Sequence, residues 1–212
     1  MGCLLFRRVT TLINLMKNGG VQTQSLRPTV KALKRIANMQ FKYTDPVTDF
    51  SDGLVALKAY HEDFLGRGKP LLQLVFDLKT KGMNEAYANQ CMNTYCHYEH
   101  ANHLHHQDEE LALFPLLVNH SALIDGMIER LMLDHEEIEK AWNLLAAQLK
   151  QPEAIKDFDR LQVLAVEFEK LQREHLNRED EDFSPLVKAV LNNEQREQVG
   201  VKMAELRHLE IN

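Results

Sequence analysis

The chain contains few of the residues that interrupt helices or cross-link small secreted folds. Its 212 residues include nine glycines, six prolines and three cysteines. An odd number of cysteines without framework spacing gives no indication of a disulfide scaffold. No apolar run reaches the roughly 18 residues that suggest a membrane span. With 44% hydrophobic and 26% charged residues, the composition is typical of a soluble globular protein with one core.

The three cysteines are Cys3, Cys91 and Cys96. Cys91 and Cys96 are five residues apart, so on a helix they point about 140° from each other and cannot form a disulfide within it. We interpret all three as reduced thiols in a cytoplasmic protein, with redox sensing by one of them as the alternative.

Acidic residues are absent from positions 1–44, which contain eight Lys or Arg. The remainder holds 17 basic and 31 acidic residues, a net charge of −14. An acidic domain is a poor nucleic-acid binder and a reasonable host for cations. We therefore separate a basic extension, 1–44, from a domain, 45–212. The extension resembles a targeting or membrane-surface segment; the alternatives are weak order or a true start at Met16 or Met39.

Apolar residues recur at helical spacing throughout the domain. The predicted helices cover about 54–81, 84–118, 122–149 and 153–191. Gly66 to Pro70 interrupt the first, which is either one kinked helix or two shorter ones. Ser121 is a candidate N-cap, and Asn193 is expected to cap a short terminal helix ending near His208. Nothing alternates with period two, so the domain is predicted to be all-α.

The domain contains a doubled pattern. In each copy a lone His is followed, 44 or 40 residues later, by His-x3-Glu, and a Pro stands six residues after that Glu. The first copy has His61, then His105 and Glu109; the second has His135, then His175 and Glu179. Residues at i and i+4 share a helix face. Two such helical hairpins, packed antiparallel, bring four imidazoles and two carboxylates to the centre of a four-helix bundle. This mixture suits Fe, Mn or Zn.

These residues, with the segments "HHQDEELALFP", "DHEEIE" and "HLNREDEDFSP", resemble the hemerythrin-like family, whose domain is called the HHE cation-binding domain. The resemblance covers roughly 45–208. It implies an up-down-up-down bundle with a short C-terminal helix and two iron ions, for which Mn or Zn could substitute. The ligands that it implies are His61, His105, Glu109, His135, His175 and Glu179, with both glutamates bridging.

One position departs from the oxygen-carrying members of that family, which have a second His four residues after the third-helix His. Here that position is Glu139. It is either a seventh ligand, because it shares a helix face with His135, or part of a solvated acidic cluster with Glu136 and Glu137. The remaining histidines are interpreted as solvated or interfacial rather than as ligands: His97, His100, His103, His106, His120 and His208.

Residues two helical turns from the ligands form a second pattern. Tyr98, Trp142 and Phe168 lie seven residues from His105, His135 and His175, all toward the same end of the site in an antiparallel bundle. The fourth equivalent position is Gly68. The three aromatic residues are either plain core or a lid with a gap at Gly68 through which a small ligand passes.

The sequence thus predicts a non-haem di-iron protein that binds or reduces a small oxidant such as O₂, NO or peroxide. The family's four-His, two-Glu members resemble proteins of nitrosative stress and iron-centre repair. The alternatives are a metal or oxygen sensor and an iron store or donor. No catalytic residue and no oligomeric state is indicated.

Overall fold

The computed structural model describes residues 43–208. Six α-helices lie in that range: α1 Gly53–Lys81, α2 Glu85–Gln107, α3 Ala122–Leu149, α4 Phe158–Arg178, α5 Ser184–Val190 and α6 Asn193–Leu206. No strand occurs between residues 43 and 208, which confirms the all-α prediction. Interpretations that concern residues 1–42, including Cys3, fall outside the described residues.

Four long helices form the bundle. α1 packs against α2 and α4, and α3 packs against the same two helices. Consecutive long helices are joined by short connections, as expected for antiparallel neighbours. The order is therefore up-down-up-down. None of the helices between residues 43 and 208 combines the length and apolar character needed to cross a membrane.

The helix ends follow ordinary capping chemistry. The side chain of Ser121 accepts a hydrogen bond from the backbone N–H of Ile124, which confirms the predicted N-cap of α3. α1 is one continuous helix with Pro70 inside it, and Gly82 ends it at a φ of 77° that favours glycine. The terminal helix α6 is capped by Asn192 rather than Asn193, because Asn192 and Gln195 form a reciprocal capping box.

Two predicted helices are interrupted where the sequence gives no warning. α2 continues into a π-helical segment, Asp108–Leu113, and a 3₁₀ turn, Phe114–Leu116. α4 continues into a second π-helical segment, Glu179–Phe183, before α5 begins. A π turn inserts one residue into the helical ladder, and such insertions are frequent at functional sites. Both lie at the predicted glutamate ligands.

α6 packs closely against the start of α1. A Cβ atom on Gly200 would lie 1.9 Å from the backbone oxygen of Phe50, and one on Gly53 would lie 2.3 Å from a Val199 methyl carbon. Only glycine permits this approach of the two backbones. It brings the end of α6 to the centre of the bundle.

Arg207, just after α6, connects this end of the helix to α1, to the start of the first π-helical segment and to Asp45. Its guanidinium donates two hydrogen bonds to Asp108, at 2.6 and 2.7 Å, one to Asp45 at 2.8 Å and one to the hydroxyl of Tyr60 at 2.7 Å. The carboxylate of Asp108 is fully buried. Burial raises its pKa to about 6 even though Arg207 acts to lower it. Tyr60 and Asp108 each precede a predicted ligand, His61 and Glu109, so Arg207 ties two of the ligand-bearing turns together.

Cys91 is completely buried, and burial raises the pKa of its thiol to about 12. Because the thiolate is the reactive form, this cysteine is unsuited to redox sensing. Cys96 is partly exposed.

We expect Arg207→Ala to destabilise the metal-free protein by about 3–5 kcal/mol, because it leaves the buried Asp108 carboxylate without its partner. Urea unfolding followed by circular dichroism measures the change. Lys202→Ala is the matched control, since Lys202 pairs with Glu205 on the exposed surface of α6; it should cost at most about 1 kcal/mol. Equal midpoints for the two variants would contradict the role assigned to Arg207.

Candidate metal centre

The structure brings all six residues predicted as metal ligands together in the core of the bundle. Each of the four long helices contributes one imidazole, and the two π-helical segments contribute the carboxylates. All six side chains are buried: His61, His105, Glu109, His135, His175 and Glu179. His105 and Glu109, like His175 and Glu179, are four residues apart and point to the same side of their helix.

The donor atoms form two overlapping groups. His61 and His105 belong to one group, His135 and His175 to the other, and both groups include Glu109 and Glu179; within each group the donor atoms lie within 4.8 Å of one another. Nε2 of His61 is 3.1 Å from Glu179, and Nε2 of His135 is 3.1 Å from Glu109. Nε2 of His175 is 3.2 Å from the other oxygen of Glu179. Two cations held by these groups would share both carboxylates.

The donor atoms that face the centre of the site do not form hydrogen bonds with one another. Within residues 43–208, Nε2 of all four histidines, one oxygen of Glu109 and both oxygens of Glu179 are buried and make no hydrogen bond of acceptable geometry. Buried polar groups are normally hydrogen-bonded, so seven exceptions around common points need another partner. Cations that accept nitrogen and oxygen ligands supply one. The residues therefore fit a metal pair.

A second pair of carboxylates holds the outer faces of two imidazoles. Asp180 Oδ1 lies 2.8 Å from Nδ1 of His61, and Glu110 Oε1 lies 2.7 Å from Nδ1 of His135. A carboxylate only accepts, so each Nδ1 carries a proton, and Nε2 is the nitrogen that would offer its lone pair to a bound cation. In both cases the carboxylate is adjacent to a predicted ligand glutamate. Each imidazole thus lies between two consecutive acidic residues of the other hairpin.

These contacts shift the protonation of the metal-free site. Burial lowers the pKa of His61, but Asp180 and Glu179 outweigh it and raise the pKa to about 10. His135 follows the same course, with Glu109 and Glu110 raising its pKa to about 10 against burial. In the absence of metal, these two imidazolium ions balance the carboxylates electrostatically.

The two central carboxylates differ. Burial and the nearby Glu179 raise the pKa of Glu109 to about 7. Burial also acts to raise the pKa of Glu179, but His175, His105 and His61 hold it well below its usual value. Glu179 contacts three of the four imidazoles, and is the more strongly ionised of the pair.

Two other histidines lie at helix interfaces, one of the two positions that the sequence-based interpretation allowed. His97 is buried and its Nε2 lies 2.7 Å from Asp63. His106 stacks on His135, with ring centroids 4.0 Å apart. Both face neighbouring helices of the bundle, which a single-helix projection does not include. His100, His103, His120 and His208 are exposed, as predicted.

Glu139 lies on the exposed side of α3, together with Glu136 and Glu137. Its carboxylate belongs to neither donor group. This position agrees with the solvated acidic cluster rather than with a seventh ligand. Glu109 and Glu179 follow their histidines into π-helical segments, whereas Glu139 follows His135 within a regular α-helix.

The aromatic residues of the predicted lid lie in contact with one another. Tyr98, Trp142 and Phe168 are buried, with ring centroids 5.1 to 5.5 Å apart. Phe64 joins this cluster to the site, because it stacks on Tyr98 at 5.9 Å and contacts His105 at 5.5 Å. Gly68 is buried, and a Cβ there would lie 2.9 Å from the carboxylate of Glu169. The predicted gap is thus covered by a side chain of α4.

A pocket reaches the site from the other end. It has a volume of about 220 Å³ and lies between α1 and α5. His61, Glu109 and Glu179 form its inner wall, Leu54 and Leu57 line one side, and the exposed Lys58 and Lys188 flank it. On α1 the pocket lies on the N-terminal side of His61, whereas the aromatic cluster lies on the C-terminal side. Access to the carboxylates is therefore opposite to the predicted lid.

Comparison with known proteins agrees with this site. The family model described as "Hemerythrin HHE cation binding domain" matches residues 52–187. An uncharacterized protein of Haemophilus influenzae is 34% identical over 74 residues, which are 35% of this chain and 43% of that protein. The chain thus spans less than half the length of this curated relative. No solved structure matches.

We expect Asp180→Ala and Glu110→Ala each to weaken metal binding by roughly 10- to 100-fold, because an imidazole that loses its outer hydrogen bond is no longer held in position. Competition with a chromophoric chelator measures the affinity. Glu181→Ala, at an exposed position next to Asp180, is the control and should bind metal normally. If all three variants behave alike, the outer carboxylates do not orient the site.

Proposed function

The chain belongs to the hemerythrin HHE cation-binding domain family, and we propose that its bundle holds two iron ions and binds or reduces a small oxidant. In this proposal one ion is held by His61 and His105 and the other by His135 and His175. Glu109 and Glu179 serve both. Manganese or zinc could occupy the same donors, since mixed imidazole and carboxylate ligation does not exclude them.

The observation that carries the proposal is the sharing of two buried carboxylates between two groups of donors. A mononuclear site needs only one such group. Two cations bring four positive charges into the core, and the two carboxylates offset half of them. The outer carboxylates Asp180 and Glu110 add further negative charge within hydrogen-bond distance of the imidazoles, which favours retention of cations at this depth.

A pair of ferrous ions would supply two electrons and an open ligand position to O₂, NO or peroxide. The chain's own residues determine where such a molecule arrives. The pocket between α1 and α5 ends at His61 and the two glutamates, and its apolar side suits small uncharged molecules. The opposite end is closed by Phe64 and the aromatic cluster, which protects the site from bulk water.

Two alternatives use the same site without turnover. In a metal or oxygen sensor, occupancy of the site would change the stability of the bundle and its binding to a partner. In an iron store or donor, the ions themselves would be released. Rapid mixing of the reduced protein with O₂ and with NO separates the proposed function from an iron store or donor, because only the former requires fast oxidation or ligand binding. A cytoplasmic location and action in oxidative or nitrosative stress are parts of the proposal.

The metal content tests the site directly. We expect two iron ions per chain after anaerobic loading, measured by elemental analysis, and a higher unfolding temperature than for the metal-free protein, because a ligand that binds only the folded state stabilises it. His175→Ala should lose metal, whereas His120→Ala, at an exposed position, should not. One ion or fewer per chain, unchanged in His175→Ala, would refute the dinuclear site.

The route of access is tested by narrowing each end. Leu54→Trp should slow the binding of NO to the reduced, iron-loaded protein, because Leu54 lines the pocket. Val55→Trp, at the exposed neighbouring position, is the control and should leave the rate unchanged. Stopped-flow absorbance gives the rates. A slow Gly68→Ala variant beside a normal Leu54→Trp variant would instead place access at the aromatic end.

A further inference from the structure

His106 is the one histidine outside the six predicted ligands whose ring nitrogen reaches the site within residues 43–208. Its Nε2 is buried and has no hydrogen-bond partner among the described residues. The ring stacks on His135 at 4.0 Å with 8° between the planes, and meets the ring of His175 edge-on at 6.0 Å. It therefore contacts both imidazoles of the second donor group.

One ring nitrogen of His106 lies within 4.8 Å of one ring nitrogen each of His135 and His175. Two ligand atoms on opposite sides of one ion, with bonds of about 2.1 Å, are about 4.2 Å apart. At most two of three donors can lie on opposite sides of one ion, so the ring of His106 must move as well as turn before all three reach it.

We propose that His106 is a fifth histidine ligand, supplied by α2 to the ion that His135 and His175 hold. The proposal rests on the proposed dinuclear site and adds one donor to it. In the oxygen-carrying proteins that this chain resembles, the fifth His stands four residues after the third-helix His. Here that position is the exposed Glu139, and the imidazole comes from the adjacent helix.

The stacked arrangement requires one ring to turn. Two parallel rings do not direct their lone pairs at one point, so His106 and His135 cannot both bind in the stack as it stands. His135 is held by Glu110 through its Nδ1. The Nε2 of His106 is not held by any hydrogen bond in the described part of the chain. His106 is therefore the ring that turns.

A fifth ligand makes the two ions unequal. The ion between His135 and His175 would have three imidazoles, and the ion between His61 and His105 would have two. The pocket between α1 and α5 reaches His61 but not His106, His135 or His175. The ion with fewer histidines thus faces this pocket, whereas only a cavity of about 30 Å³ reaches His175; the ion beside His61 therefore has more room for a small ligand.

The test uses the full chain and iron(II), with three variants. His106→Ala removes the ring, His106→Phe keeps a flat ring for the stack on His135 but has no lone pair, and His103→Ala is an exposed control on the same helix. We expect both His106 variants to bind the second iron roughly 10- to 100-fold more weakly, a loss of the size that misplaced ligand shells cause. His103→Ala should match the unaltered chain. Chelator competition gives the two affinities.

Mössbauer spectra of the iron-loaded proteins give an independent readout. One of the two iron signals should change in His106→Phe while the other stays in place. Normal affinity and unchanged spectra in His106→Phe would overturn the proposal and leave His106 with a stacking role only. X-ray absorption can be measured on the unaltered, iron-loaded chain without any variant. A fit with four imidazoles per two ions, rather than five, would also overturn the proposal that His106 is a ligand. Fewer than two ions in the unaltered chain would refute the dinuclear site itself, a separate result.

Discussion

The structure depends on the burial of two carboxylates in the middle of a helical bundle. An isolated buried carboxylate costs several kcal/mol, and two adjacent ones repel each other. Glu109 and Glu179 are both almost completely buried and act on each other's protonation. Without cations, the imidazoles of His61 and His135 must carry the balancing charge. The arrangement of the four long helices around this point, with one inward histidine on each, meets that electrostatic requirement.

In each of the two π-helical segments, two consecutive acidic residues act on one imidazole. Here Glu109 and Glu110 contact the two nitrogens of His135, and Glu179 and Asp180 contact those of His61. Because each segment serves a histidine of the other hairpin, the two halves of the repeat are interlocked at the site. Arg207, which lies just after α6, stabilises the first π-helical segment through its hydrogen bonds to Asp108.

The sequence predicted the bundle and the six clustered residues well, because helical periodicity and His-x3-Glu spacing are local patterns with a fixed geometric meaning. It missed the π-helical segments, since one inserted residue leaves no mark in the apolar pattern. Asp180 and Glu110 were overlooked because their partners are on other helices, 119 and 25 residues away in the chain. The contact of His106 with His135 was not predicted for the same reason, because His135 lies on another helix, α3.

The two ends of the site differ in a way that periodicity along single helices does not indicate. Seven-residue spacing from the ligands identified Tyr98, Trp142 and Phe168 as neighbours, and they do pack together. The same spacing gave a gap at Gly68, but Glu169 from α4 covers that position and Phe64 fills the layer beneath. The open end lies instead where α4 has ended and the short helix α5 follows. There Leu54 and Val187, rather than a fourth long helix, border the space next to His61. In the proposed function, a small molecule would approach the carboxylates along the side of α1, past Lys58 and Lys188.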